Sequence, residues 1–180
     1  VPRHVLGGAD QPPPSEKLNI AGVGVGGQGF GDMRQVSPGN NVVALCDVDH
    51  RHAGRAFQHY PKAKVYKDFR VMLEKQKDLD AIVVSTPDHH HAPASVMGMK
   101  LGKHVYCEKP LTHSIHEARV MRRVARESKV ATQMGNQGHA NDSTRQIVEM
   151  VRDGVIGTVR EVHVWTDRPG RFWKQPLDRP

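Results

Sequence analysis

The chain has 180 residues, enough for one complete α/β domain and a little more. Hydrophobic residues make up 37% and charged residues 25%, a balance typical of a globular protein, and no apolar stretch is long enough to span a membrane. The net charge of +7 comes from dispersed Lys and Arg residues. Their densest run, Arg119 to Lys129, has helical spacing, and no nucleic-acid motif lies beside it. We therefore expect neither nucleic acid nor a membrane as a partner.

Short apolar strands alternate with helices from Lys17 onward. The 16 residues before it hold four prolines and no periodic pattern, which predicts an extended arm. The predicted strands are Leu18–Val23, Asn41–Cys46, a weak strand at Val65–Tyr66, Ala81–Ser85, His104–Cys107 and Val130–Gln133. The predicted helices are a short one ending at Met33, His50–Tyr60, Phe69–Lys75, one from about Pro93 to Gly102, and one that Ser114 and Glu117 begin as a capping box. This alternation predicts a parallel, doubly wound Rossmann sheet.

The pattern changes after residue 135. Asp142 or Ser143 is predicted to cap a helix that ends at Gly154. Its predicted inward-facing residues are Ile147, Val148 and Val151. Val159–Thr166 alternates apolar and polar residues, as a half-buried strand of an antiparallel sheet does. We therefore expect one domain over residues 17–137 and, over 138–180, the beginning of a second α/β domain with an open antiparallel sheet that continues beyond residue 180. The absence of an initial methionine also suggests a fragment or a processed chain.

The two cysteines, Cys46 and Cys107, have neither a CxxC spacing nor a zinc-ligand spacing. Both are predicted to end strands that lie three spacings apart in the order 3-2-1-4-5, roughly 14 Å. Because a disulfide needs Cα atoms within about 7 Å, we expect two buried thiols.

The glycine-rich segment GVGVGGQG fits the pattern G-x-G-x-x-G in two registers, Gly22-Gly24-Gly27 and Gly24-Gly26-Gly29. The second register leaves a full strand in front of the turn, and we prefer it for that reason. In this pattern the first glycine makes a tight turn and the second lets the backbone approach a pyrophosphate. The third lets the helix pack closely, with its N-terminus toward the phosphates.

An acidic residue at the end of the second strand supports the same interpretation. Asp47 lies about 20 residues after the glycine loop, where its carboxylate can accept both ribose hydroxyls of NAD. The same carboxylate would repel the 2′-phosphate of NADP, although Arg51 nearby softens that effect. Gln28 lies within the loop. We therefore predict a site for NAD, with NADP less favoured.

Three successive histidines lie in the segment STPDHHHA, which follows the fourth strand. In an extended loop successive side chains alternate, so at most His89 and His91 share one side. Zinc needs three or four ligands and no partner pair lies at a ligand spacing nearby, so we expect no metal. Loops at the carboxyl ends of strands beside the switch point face the ligand. Thr86, Pro87 and His91 are therefore interpreted as neighbours of the cofactor.

The segment HVYCEKPLT ends the fifth strand and places Glu108 and Lys109 at the same ligand-facing edge. Such a pair is often a surface ion pair, but the apolar strand before it predicts partial burial. Trp165 and Trp173 can stack on a sugar ring, although a tryptophan in an alternating strand is more often packed.

Five motifs in order resemble the Gfo/Idh/MocA oxidoreductases: KLNIAGVGVGGQG, VVALCDVD, VSTPDHHHA, GKHVYCEKPL and QMGNQGH. The resemblance implies that the glycine loop holds the pyrophosphate and Asp47 the ribose. Thr86, Pro87 and His91 would line the nicotinamide side. Lys109 would sit beside the nicotinamide and contact the reacting hydroxyl, and Asn136 would lie at the domain junction.

The resemblance further implies hydride transfer between a nicotinamide cofactor and a sugar or cyclitol. Much of the substrate site, with an acid–base histidine, would come from the second half, and we expect a homo-oligomer. Two alternatives remain: an NAD-using glycoside hydrolase of the same family, and a non-catalytic NAD-binding module, against which the retained Lys109 argues. The arm PRHVLGG resembles the segment after a twin-arginine signal, which predicts an extracytoplasmic location, with the cytoplasm as the alternative.

Overall fold

The computed structural model describes residue 13 and residues 16–165. The predicted N-terminal arm lies almost entirely outside these residues, as does Trp173, so the arm and the predicted export stay predictions. The chain divides into two compact units after Asn136.

The first unit is built on a six-stranded sheet in which all paired strands are parallel. The strands are β1 (Asn19–Val23), β2 (Asn41–Cys46), β3 (Lys64–Tyr66), β4 (Ala81–Val84), β5 (His104–Glu108) and β6 (Thr132–Gly135). Their order, β3-β2-β1-β4-β5-β6, confirms the predicted Rossmann arrangement. The predicted position of β6 is wrong by two residues. The strand continues to Gly135 because it pairs with β5 as far as Glu108.

Five helices connect these strands. They are α1 (Gln28–Val36), α2 (Gly54–His59), α3 (Phe69–Lys75), α4 (His91–Lys100) and α5 (Ile115–Ser128). The predicted start of the second helix at His50 is wrong, because the Asp49 carboxylate accepts hydrogen bonds from the N–H groups of Arg51 and His52 and holds a turn there. The predicted capping box of α5 is confirmed: Ser114 and Glu117 bond each other's backbone N–H groups.

Alternate strand residues face opposite sides of the sheet and form two apolar clusters. On β4, for example, Ile82 and Val84 pack on one side and Val83 on the other. The larger cluster joins the sheet to α3, α4 and α5, and includes Met72, Leu73, Met99, Met121 and Val124. The smaller one joins it to α1 and α2, and includes Ile20, Val25, Met33, Leu45 and Ala56. The sheet is therefore covered on both faces.

The second unit contains α6 (Gln137–Ala140) and α7 (Asp142–Arg152). The predicted caps of α7 are wrong: Asn141 is the N-cap, and its side-chain oxygen accepts from the Thr144 N–H at 2.7 Å. The residues predicted to face inward are instead exposed, namely Ile147 at 60%, Val148 at 41% and Val151 at 40%.

The predicted strand at Val159–Thr166 is not formed over residues 159–165, and Thr166 lies outside the described part of the chain. A strand needs a hydrogen-bonded partner, and the second unit offers only helices among its described residues. Trp165 is exposed. No described helix combines the length and the apolar character that a membrane crossing requires.

Candidate dinucleotide site

The glycine loop makes a tight turn at the carboxyl end of β1. Gly24 follows the strand with a φ of +76°, and its N–H donates to the Cys46 carbonyl at 2.8 Å. A Cβ on Gly24 would lie 2.8 Å from the Ser85 backbone, and a Cβ on Gly29 would overlap the Gly24 carbonyl oxygen. The loop is thus packed between the end of β4 and α1. This is the geometry expected of the register Gly24-Gly26-Gly29, with Gly27 and Gln28 exposed in the loop.

The carboxylate of Asp47 closes this loop. Its Oδ2 accepts from the N–H groups of Val25 at 2.9 Å and Gly26 at 3.1 Å, and its Oδ1 accepts from the Asp49 N–H. The half-buried Asp47 side chain is therefore aimed at the loop from the end of β2.

The exposed imidazole of His52 covers the same turn, and a Cβ on Gly26 would run into its ring. Sequence analysis did not single out His52. The position of His52 in the sequence belongs to no motif. The turn at Asp49 brings His52 to the glycine loop.

The prediction that the three histidines lie in an extended loop is wrong. Residues 88–90 form one turn of 3-10 helix, and α4 begins at His91. His89 and His90 are exposed neighbours with ring centroids 4.5 Å apart, whereas His91 is 1% exposed. Among the described residues, no group of three His, Cys, Asp or Glu side chains is placed to hold a metal ion. The expected absence of a metal stays a prediction.

The buried ring of His91 joins two loops of the site. Its Nε2 lies 2.7 Å from the Thr86 carbonyl oxygen, and its Nδ1 lies 2.5 Å from the Pro110 carbonyl oxygen. Thr86 follows β4 and Pro110 follows β5. Since both ring nitrogens contact the backbone, His91 serves the site by holding these loops together. Its direct contact with a cofactor stays a prediction.

The hydroxyl of Thr86 is buried and has no hydrogen-bond partner within the described part of the chain. Such a group costs free energy unless something satisfies it, so a polar ligand atom is the expected partner. Pro87, the next residue, is exposed and precedes the 3-10 turn. Both residues lie at the edge of the sheet that carries the glycine loop.

Glu108 and Lys109 differ in burial. Glu108 is 4% exposed, and its carboxylate accepts from the Lys109 N–H at 3.0 Å, while the Lys109 side chain is exposed. The expected partial burial therefore holds for the glutamate and not for the lysine. A Cβ on Gly135 would lie 2.5 Å from Glu108 Oε1 and 2.8 Å from Tyr106 Oη, so this glycine leaves room for both groups. Burial, followed by the charge of Glu108 and then that of Asp32, raises the pKa of Tyr106.

A buried carboxyl group on α1 is a second feature that sequence analysis missed. Asp32 is 2% exposed, and it accepts from Ser85 Oγ at 2.7 Å and from Gln28 Nε2 at 2.8 Å. An aspartate inside a helix usually indicates a solvated position, and only the fold brings Ser85 beside it.

Asn136, the last residue of the first unit, accepts a long hydrogen bond of 3.5 Å from Gln133. Its role at a domain junction stays a prediction.

The two cysteines are buried free thiols, as expected. Burial is the main reason that the pKa of Cys46 rises to about 12 and that of Cys107 to about 11.

These features fit an NAD molecule bound along the carboxyl edge of β1, β2, β4 and β5. Gly24, Gly26 and Gly29 have no room for a side chain, and the N-terminus of α1 lies at the end of the loop, which suits a pyrophosphate. The Asp47 carboxylate suits ribose hydroxyls, and the unpartnered Thr86 hydroxyl suits a polar group of the ligand.

Comparison with known proteins agrees with this geometry. Residues 17–136 match the oxidoreductase family with an NAD-binding Rossmann fold known as Gfo/Idh/MocA. The chain belongs to this family. Both the predicted family and its cofactor, NAD, are thereby confirmed.

Relatives in the family carry two kinds of name. A glycosyl hydrolase family 109 protein of Shewanella sp. (strain ANA-3) is 30% identical over an alignment of 157 residues, and the match covers 81% of this chain and 34% of that relative. An alpha-N-acetylgalactosaminidase of Shewanella oneidensis is 29% identical over the same share. The chain thus spans about a third of the length of these curated relatives.

Among solved structures, the myo-inositol 2-dehydrogenase of Lactobacillus plantarum matches with a TM-score of 0.73 and 26% identity, over 80% of this chain and 43% of that one. The scyllo-inositol dehydrogenase of Lactobacillus casei, solved with NAD(H) and scyllo-inositol, matches with a TM-score of 0.70 and 24% identity, over 79% of this chain and 43% of that one. The second likeness concerns the fold alone.

Proposed function

We propose that the complete protein moves hydride between bound NAD and a carbinol carbon of a cyclitol or sugar. The observation that carries this proposal is the position of Lys109. It is an exposed lysine directly after β5, at the sheet edge that carries the glycine loop, and its backbone is bound to the buried Glu108. Inositol dehydrogenases among the structural neighbours support a polyol substrate.

The reaction removes two electrons from the substrate. The C–H bond of the carbinol breaks and its electron pair leaves as hydride. The hydroxyl loses its proton to a general base, the role that the family resemblance gives to a histidine of the second half, and a carbonyl forms. NAD supplies the acceptor for the hydride. An ammonium group beside the hydroxyl oxygen donates a hydrogen bond to it and stabilises the negative charge that develops as the proton leaves. Lys109 is proposed for this role.

The chain's other site residues bind and orient. The N–H groups of the glycine loop would hold the pyrophosphate, and Asp47 would exchange its present loop contacts for ribose hydroxyls. The buried Thr86 hydroxyl would meet the nicotinamide end, and His91 fixes the loop that carries it. Glu108 fixes the backbone of Lys109.

The test is to supply the complete protein with NAD⁺ and a panel of inositols and hexoses, and to follow the absorbance of reduced nicotinamide. Steady reduction with at least one polyol is expected. If no polyol reduces the bound NAD⁺, although binding is demonstrated separately, oxidoreductase turnover on this substrate class is refuted.

A second function, glycoside hydrolysis through bound NAD, is favoured by the names of the curated relatives. In that reaction hydride returns to the sugar in each cycle, so no net reduced nicotinamide accumulates. Release of nitrophenol from a nitrophenyl α-N-acetylgalactosaminide without net reduction would select it. NAD binding with neither activity would indicate a non-catalytic binding module.

A further inference from the structure

Asp32 is a buried acidic group to which the proposed reaction gives no role. It lies on α1 four residues after Gln28, which corresponds to about 6 Å along the helix axis. It is 2% exposed, and no salt bridge among the described residues includes it. A carboxylate in such surroundings is costly to ionise, because burial removes water from the charge and no cation replaces it.

The two oxygens of Asp32 bind the two sides of the glycine loop. One accepts from Gln28 Nε2 at 2.8 Å, at the first turn of α1. The other accepts from Ser85 Oγ at 2.7 Å, at the end of β4. Ser85 also donates its N–H to the Val23 carbonyl, and its backbone abuts Gly24. The carboxyl group therefore fixes both elements between which the pyrophosphate would lie.

Few other titratable groups act on Asp32. The negative charge of Glu108, on β5, raises the pKa of Asp32. The charge of Asp32 in turn raises the pKa of Tyr106, on the same strand as Glu108. The neutral donors Ser85, which directly follows β4, and Gln28, on the same helix, lower the pKa of Asp32. Burial is the largest cause, so the pKa of Asp32 is raised overall. A dinucleotide at the N-terminus of α1 would add the negative charge of its pyrophosphate to the same side.

We propose that Asp32 is a positioning residue that couples dinucleotide binding to proton uptake: its carboxyl group holds Gln28 and Ser85 beside the glycine loop and accepts a proton when the pyrophosphate binds. The coupling follows from linkage, because a ligand that raises the pKa of a group draws a proton from solution in the pH range around and between the pKa values of the free and the bound protein. It rests on NAD binding alone and is independent of the substrate.

The experiment is calorimetric titration of the complete protein with NAD⁺ in two buffers of different ionisation enthalpy, from about pH 5 to about pH 8. The wild-type protein is expected to take up a fraction of a proton per NAD⁺, with a maximum between the pKa values of Asp32 in the free and the NAD⁺-bound protein. Asp32→Asn keeps the shape of the side chain and a hydrogen-bonding atom toward both partners, and is expected to abolish the uptake.

The affinity for NAD⁺ supplies a second readout. Wild type and Asp32→Asn should bind equally at the acidic end, whereas at the basic end the wild type should bind more weakly, by tenfold for each unit by which NAD⁺ raises the pKa. Ser85→Ala removes a donor that favours the ionised form, so it should shift the uptake maximum to higher pH. This variant tests the proposal even if Asp32→Asn does not fold.

Three results would overturn the proposal: no proton uptake by the wild type, equal uptake by Asp32→Asn, or an unshifted maximum in Ser85→Ala. Glu108→Gln is the control for the neighbouring carboxyl group. If uptake disappears in Glu108→Gln and persists in Asp32→Asn, the proton belongs to Glu108. None of these readouts depends on turnover, so failure of the proposed polyol oxidation would be seen separately.

Discussion

The carboxyl edge of the sheet has two halves that are built differently. In the glycine-loop half, formed by the ends of β1 and β2, the contacts are mostly backbone groups and one carboxylate: Asp47 bonds the N–H groups of Val25 and Gly26. The β4–β5 half consists of the loops that follow β4 and β5. There a buried side chain, His91, contacts the backbone of both loops. The structure of the first half depends on close backbone packing that only glycine permits. The structure of the second half depends on hydrogen bonds between residues distant in sequence.

The largest effect is expected in the glycine-loop half. Gly29→Ala places a methyl group against the Gly24 carbonyl oxygen, which is backbone and cannot rotate away. We expect NAD affinity to fall by about 100-fold or more, and the free energy of unfolding by roughly 1–3 kcal/mol, the scale for overpacking. Calorimetry and urea unfolding measure both quantities.

Gly31→Ala is the matched control, because a Cβ there meets nothing within 4 Å. It should leave NAD affinity unchanged and raise helix stability by up to about 1 kcal/mol. Equal NAD affinities and equal free energies of unfolding in the two variants would show that the loop does not require close packing at Gly29.

In the β4–β5 half, a substitution is expected to lower the free energy of unfolding. His91→Ala removes both ring contacts and leaves a cavity, and we expect a loss of about 2–3 kcal/mol in the free energy of unfolding. His90→Ala, the exposed neighbour, should stay within about 0.5 kcal/mol of the wild type. Equal stability of the two variants would show that the His91 bridge contributes nothing.

The two halves also differ in how far the sequence predicts them. The glycine spacing predicts the tight turn at the end of β1 and its close contact with α1, because both demand glycine whatever surrounds them. The second half depends on which side chains the fold brings together. Ser85 meets Asp32 across 53 positions in sequence, and no local pattern encodes that contact.

The errors in the predicted elements have the same origin. The histidine segment was expected to be extended, but its backbone forms a helical turn and α4 begins at His91. In the second unit, the apolar residues of α7 and of the alternating segment after it have the periodicity of buried faces, but a face becomes buried only where another element packs against it. The described residues of that unit leave Ile147 and Trp165 exposed.

A smaller effect is expected on the choice of cofactor. Asp47→Asn removes the charge that would repel a 2′-phosphate, and we expect the preference for NAD over NADP to fall by about tenfold. Asp49→Asn is the control, because it removes a charge two residues away and retains a side-chain acceptor for the turn. Competitive titration with both cofactors measures the preference. Tighter binding of NADP than of NAD by the wild type would contradict the assignment of Asp47.

The proposed function depends on Lys109 more than on any other side chain. The decisive measurement is single-turnover reduction of bound NAD⁺ by a substrate polyol in the complete protein, with NAD⁺ affinity determined separately. Lys109→Ala should bind NAD⁺ nearly as the wild type does and reduce it about 100-fold or more slowly, the scale for a positioned polar group. Lys67→Ala, a lysine that directly follows β3 at the same edge, should react normally. A normal rate in Lys109→Ala would contradict the proposed role and leave Lys109 as a surface residue.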